Sequence, residues 1–239
     1  MPYFLYGFDW TYLVIVLPCI ILATWASARV NSTFKRYSKQ LSACGITGAQ
    51  AAENVLRSHG IHNVRIERVS GNLTDHYDPK ANVIRLSDGV YSSTSTAAIG
   101  VACHEAGHAV QYAQGYGPIK LRSAIIPITN IGSHLAMPLI LLGVVFSAMG
   151  YFSHTLIYIG IGCFALSLLF QLVTLPVEFN ASRRAMGSIE NSRMFSEEEL
   201  KGARKTLSAA AMTYVAAVAV AAAQLLRLLI LFGGRRRND

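Results

Sequence analysis

Long apolar stretches interrupt this chain at intervals. Residues 10–28 (WTYLVIVLPCIILATWASA), 135–152 and 155–175 contain no Asp, Glu, Lys or Arg. Each is close to the roughly 20 apolar residues that a helix needs to cross a hydrocarbon core of about 30 Å. The pattern therefore predicts three membrane-spanning helices, the second and third forming a tight hairpin around Ser153 and His154. A fourth stretch, residues 206–232, is rich in alanine and includes Gln224 and Arg227. It fits a span, a buried bundle helix or an interfacial helix, and the pattern leaves these open.

Between the first two spans the periodicity changes. Residues 45–60 read as a helix with Thr47 as its cap, Ala51, Val55 and Leu56 on one face, and Gly60 as its stop. Residues 63–70 (NVRIERVS) alternate charged and apolar side chains as a half-buried strand does. Residues 71–79, with Gly71, Asn72, Asp75, Asp78 and Pro79, read as turn, and residues 82–87 (NVIRLS) as a second strand. This second strand is expected to be an edge strand bordering a cleft, where an extended peptide would add. A helix rich in small residues then starts near Ser93 or Ser95, runs to Tyr112 and is stopped by Gly115, Gly117 and Pro118. After the third span, Pro176 is placed to open a new helix. Residues 188–196 read as a polar hinge before Glu197, Glu198 and Glu199 lead into the last apolar stretch.

Composition strengthens the membrane reading, since 52% of the 239 residues are hydrophobic and only 14% charged. No Lys or Arg precedes the first span and its apolar run is long, so it is expected to stay as an anchor rather than be removed as a signal peptide. The net charge of +8 would suit a nucleic-acid ligand, but the basic residues gather at span borders and no nucleic-acid motif accompanies them. Arg29, Lys35, Arg36 and Lys39 follow the first span, Lys120 and Arg122 approach the second, and Arg183 and Arg184 follow the third. By the positive-inside rule both polar regions face the cytoplasm. One feature disagrees: if the fourth stretch spans, Arg235, Arg236 and Arg237 fall on the other side. The four cysteines, Cys19, Cys44, Cys103 and Cys163, show no paired spacing. They imply neither a disulfide framework nor a thiolate metal site.

The candidate chemistry lies in HEAGH, residues 104–108. His104 and His108, four apart on a helix, project from one face and can reach one ion, with Glu105 beside them. Zinc in such a site lowers the pKa of a bound water toward about 7, and the neighbouring carboxylate takes the water's proton and passes it to the leaving amine. Ala102, Ala106, Gly107 and Ala109 would let another helix approach closely. A catalytic zinc site needs three protein ligands, and the third is not local: the metzincin extension would require Gly at Gln111 and His at Gln114. Glu178 is the best candidate, because it starts a helix on the same predicted side. Its bland alternative is a carboxylate paired with Arg183 or Arg184. His134, at a membrane border, stays open as a replacement. His154 falls on the wrong side, and His59, His62 and His76 have no paired spacing.

Beyond HEAGH, the stretches LTDHYDP (residues 73–79), IRLSDGVYSS (84–93), AAIGVACHEAGHAVQ (97–111) and PVEFNASRRA (176–185) resemble the YugP-type neutral zinc metallopeptidases, and the likeness covers nearly the whole chain. The resemblance, shared with the related HtpX-type membrane proteases, implies one catalytic Zn2+ held by His104, His108 and Glu178, with Glu105 as catalytic base. Two positions depart from the pattern. Asn180 stands where the family is expected to carry Asp, and Ser182 where HtpX-type proteins carry an Asp four residues after the ligand Glu. Support for the ligands from a second layer of side chains is therefore in question.

The expected fold is a mainly α membrane protein in which a thermolysin-like minimal zinc peptidase domain with a small β-sheet is fused to three or four transmembrane helices. The expected organisation is an anchor (residues 1–28), a cytoplasmic zinc peptidase region (29–128), a transmembrane hairpin (129–177), a cytoplasmic helix carrying the third ligand (178–205), and an Ala-rich helix with a basic tail (206–239). The implied function is a multi-pass endopeptidase of the cell membrane, bacterial by resemblance. Its partners would be the bilayer and membrane-associated or misfolded protein substrates at the cytoplasmic face, with no nucleic acid. Two alternatives compete. A site-2-type intramembrane protease would need an apolar zinc helix, which the polar residues 92–96 bordering HEAGH do not favour. A non-catalytic scaffold would keep zinc for structure alone, but has no use for Glu105.

Overall fold

The computed structural model describes residues 10–147, 151–193 and 195–233. Mainly helical, it carries one small sheet. A π-helical turn, Tyr12–Val16, runs into α1 (Leu17–Tyr37), followed by α2 (Gly48–Ser58), β1 (Arg65–Val69), β2 (His76–Asp78), β3 (Val83–Ser87), α3 (Asp88–Tyr91), α4 (Thr96–Ala113), α5 (Gly117–Val145), α6 (Tyr151–Ser192) and α7 (Glu197–Gly233). Two compact units emerge. Of the described residues, one comprises those within 10–25, 121–175 and 214–233, the other those within 26–120 and 176–213.

Among the described residues, four helices are long and apolar enough to cross a membrane: Tyr12–Tyr37, Gly117–Val145, Phe152–Ser192 and Glu197–Gly233. The stretch left open in the sequence thus belongs to a helix of the same character as the others. The basic tail with Arg235, Arg236 and Arg237 lies outside the described residues, as do the first nine. Large apolar side chains such as Val14, Ile21, Ile131 and Leu169 point outward, as a lipid environment permits. In this unit α5 and α6 pack through glycines. A Cβ added at Gly143 would meet the Ser153 carbonyl at 2.8 Å, and one at Gly160 the Ala136 carbonyl at 2.8 Å. The Ser153 hydroxyl donates to the Gly143 carbonyl, so close approach also satisfies a buried polar group.

The second unit is built around α4. Ser95 caps it by accepting from the Ala98 N–H, and Gly115, at φ 67°, lets the chain turn out of it. Its core includes Ala98, Ile99, Ala102, Ala106, Ala109 and Val110. Helix α2 lays Ala51, Ala52, Val55 and Leu56 against this core, and its start is closed by a capping box in which Thr47 and Gln50 bond each other's backbone N–H. The sheet has the order β1-β3-β2. β3 pairs parallel with β1 (Arg65↔Val83 to Val69↔Ser87) and antiparallel with β2 (His76↔Arg85 to Asp78↔Val83).

Four expectations change here. Ser153 and His154 do not form the turn of the hairpin but lie inside α6, near its start at Tyr151. The strand over residues 82–87 is central, not an edge, and Val83, Ile84 and Leu86 are wholly buried. β2, hidden in a segment read as turn, covers its outer side. Pro176 opens no new helix: α6 continues through it to Ser192. A proline inside a helix removes one backbone hydrogen bond, yet the turns beyond it are held by burial of Val177, Ala181 and Ala185. For the same reason the supposed hinge over residues 188–196 shrinks to a short connection, since Ile189 is still buried in the core.

Candidate metal centre

His104 and His108 stand one turn apart on α4, their rings edge to face with centroids 4.8 Å apart. Glu178 arrives from α6. Its Oε2 lies 3.2 Å from His104 Nε2 and 3.5 Å from His108 Nε2, and one donor atom from each of the three residues lies within 4.8 Å of the others. Both helices can come this close because the contact is lined by small residues. A Cβ on Gly107 would sit 2.8 Å from the Ala181 carbonyl oxygen.

The far nitrogens of the two imidazoles are also engaged. Ser182 Oγ is 3.1 Å from His104 Nδ1, so the serine takes the place in which the sequence comparison expected an aspartate. His108 Nδ1 is 3.0 Å from Gln111 Oε1. Gln111 is wholly buried and its amide nitrogen donates to the Val177 carbonyl and to Asn180 Oδ1, each at 2.9 Å. Arg184 completes the row, donating from Nε to Asn180 Oδ1 at 2.7 Å and from Nη1 to Gln114 Oε1. The second layer of support therefore exists, built from neutral amides and a hydroxyl. Sequence reasoning missed Gln111, whose role depends on a helix far away in the chain.

These residues fit a zinc ion. Two imidazoles and a carboxylate are a donor set that zinc accepts, with room for a further ligand. With the Nδ1 atoms turned to Ser182 and Gln111, both Nε2 atoms face the Glu178 carboxylate. Lone pairs that converge in this way need a cation, or protons, between them. His134, which belongs to the other unit, has its Nδ1 2.7 Å from the Asn130 carbonyl of its own helix. His59 lies 2.9 Å from the Val55 carbonyl and His76 2.8 Å from the Thr74 carbonyl, and neither joins the cluster.

Glu105 is buried beside the histidines. Burial pushes its carboxyl up to about 7, in the same sense as the neighbouring charges of Glu178 and Asp75, while His104 and the backbone N–H of Tyr77 pull it down. A carboxyl poised near neutrality can both take and return a proton. Tyr77 belongs to β2, the edge strand that packs on α4, and its ring meets that of Tyr112 with centroids 5.6 Å apart.

The profile of the family described as "Putative neutral zinc metallopeptidase" matches residues 12–233. The chain is also similar to the "Putative membrane protease YugP" of Bacillus subtilis (strain 168). The two are 44% identical over 228 residues, which cover 95% of this chain and 99% of that protein. No solved structure matches the chain.

Proposed function

Because this chain belongs to the neutral zinc metallopeptidase family, we propose that it is a zinc-dependent endopeptidase of the membrane, with His104, His108 and Glu178 as ligands and Glu105 as general base. The observation that carries this reading is the meeting of three donor atoms from two helices within 4.8 Å, next to a buried carboxyl. Zinc, when bound, supplies a Lewis acid that polarises the scissile carbonyl and acidifies a water. Glu105 takes the proton of the attacking water and delivers it to the departing amine. Its burial favours that shuttle, because a carboxyl in water would hold protons too weakly to return one near neutral pH. Ser182 and Gln111 hold the imidazoles in the orientation that presents Nε2.

The second unit would be a thermolysin-like minimal zinc domain, an idea supported by the pairing of an HExxH helix with a helix carrying the glutamate and by the adjacent sheet. An extended substrate would lie along β2 rather than β3, since β2 is an edge and is in contact with α4. Substrates would be membrane-associated or misfolded proteins at the cytoplasmic face of a bacterial plasma membrane. The concentration of Lys and Arg after the first and third apolar stretches supports that orientation.

Purified protein in detergent, loaded with zinc and offered unfolded protein substrates, tests the reading. Glu105→Gln should keep stoichiometric zinc and lose cleavage, whereas His104→Ala should lose both. Cleavage by Glu105→Gln at the wild-type rate would remove Glu105 as base. Zinc in the wild type without cleavage of any substrate would favour the structural scaffold.

A further inference from the structure

The buried amide row beside His108 has one consistent hydrogen-bond assignment, and it reaches the imidazole. Its ends are groups with a single polarity. Arg184 Nε can only donate, so the Asn180 atom 2.7 Å away must be the amide oxygen. That oxygen also accepts from Gln111, whose facing atom is therefore the NH2 group, 2.9 Å away. The Val177 carbonyl can only accept, and it demands the same NH2 orientation at 2.9 Å. Two independent anchors thus agree on how the Gln111 amide is turned. Its oxygen must face His108 Nδ1 at 3.0 Å, and Nδ1 must carry the hydrogen.

From this we infer that Gln111 is a positioning residue that fixes the Nδ1–H form of His108 and so presents the Nε2 lone pair to the metal, with Val177, Asn180 and Arg184 holding the amide in register. The inference rests on the zinc reading above for its purpose, though not for its geometry. His104 has no such lock, because the Ser182 hydroxyl 3.1 Å from its Nδ1 can donate or accept. The two histidines therefore differ: one is preset, and the other adjusts when a metal arrives. Gln111 is wholly buried, so an apolar replacement strands the Nδ1–H of His108 without an acceptor and frees the ring to turn.

The direct test needs no metal. Ring-15N-labelled histidine in the metal-free protein, at alkaline pH where imidazoles are neutral, reports the tautomer, and the His108 signals are identified by their loss in His108→Gln. Wild type should show protonated Nδ1 and bare Nε2 at His108, and Gln111→Met, which is close to isosteric, should give a mixture. Asn180→Asp keeps an acceptor for both Gln111 and Arg184 and should preserve the wild-type tautomer. Zinc affinity by chelator competition should fall about 10- to 100-fold in Gln111→Met and stay near wild type in Asn180→Asp. A wild-type His108 protonated on Nε2 overturns the inference whatever the variants do, as does unchanged zinc affinity in a folded Gln111→Met. If wild type binds no zinc, the peptidase reading falls, and the tautomer measurement still decides the role of Gln111.

Discussion

Replacing Gly107 by alanine should perturb the candidate metal centre without touching a proposed ligand. The new Cβ would lie 2.8 Å from the Ala181 carbonyl oxygen and 3.4 Å from the Ala181 carbonyl carbon and Cα, where ordinary contacts begin at 3.4 Å. The shortfall at the oxygen is about 0.6 Å, and the obstacle is backbone, so α4 and α6 must separate or slide. Gly107 sits between His104 and His108, and Ala181 between Glu178 and Ser182. A shift of this size is thus delivered to the ligands, where a zinc site tolerates about 0.2 Å. Overpacking costs about 1–3 kcal/mol, and alanine's better helix propensity offsets up to about 1 kcal/mol of that. The metal-free variant should therefore lose at most about 3 kcal/mol of stability, while its zinc affinity should fall by at least about 10-fold. Gly187→Ala on α6 is the control, because its Cβ would meet nothing within 4 Å. It should keep zinc and lose no stability. Thermal melts in detergent without metal, paired with chelator-competition measurements, separate the two effects. Wild-type zinc affinity in Gly107→Ala would refute the claim that this contact sets the ligand distances.

Glu178→Ala should lose most zinc on dialysis against a weak chelator, and Glu178→Asp, one methylene shorter, should retain more; undiminished metal and activity in Glu178→Ala, read by elemental analysis, would remove Glu178 from the ligand set. Thr47→Ala breaks the capping box of α2 and should destabilise the protein by about 1 kcal/mol, seen as a lower melting temperature with zinc content per folded molecule unchanged.

Much of this was legible in the sequence where the signal is local. The Thr47 cap, a helix start near Ser93 or Ser95, the apolar face of α2 and the HEAGH spacing all depend on neighbours within about one turn, and each appears in the structure. β2 was missed because three residues cannot show alternation, and Gly71, Asn72 and Pro79 around it carry turn chemistry. Its omission put β3 at the edge. Glu178 was reached by a route that was partly wrong: chain order brings it to α4, yet it lies inside a long helix rather than in the first turn of a new one. Gln111 drew notice only as a position where a metzincin would need glycine. Its actual partners, Val177 and Asn180, lie more than sixty positions away, and no local pattern marks them.

The α6 side of the centre nevertheless has a pattern, which becomes readable once Ala181 is known to face α4. At 3.6 residues per turn each residue advances about 100°. Measured from Ala181, Glu178 and Ser182 then fall about 60° and 100° to one side, and Arg184 and Asn180 about 60° and 100° to the other. Each is an i,i+4 pair, stacked along the helix. The first pair meets the imidazoles, with Glu178 at both Nε2 atoms and Ser182 at His104 Nδ1. The second meets the amides, with Asn180 at Gln111 and Arg184 at Gln114. Between them runs the small seam of Ala181 and Ala185, opposite Gly107. One stretch of helix thus carries a row that meets the imidazoles and a row that meets the amides, on either side of the contact that brings it to α4. The sequence offers two readings of these residues: Glu178 as the third metal ligand, which it favours, or Glu178 paired with an arginine on a polar helix surface. Which helix the alanines face bears on that choice, and the close approach of Ala181 to Gly107 turns them toward α4.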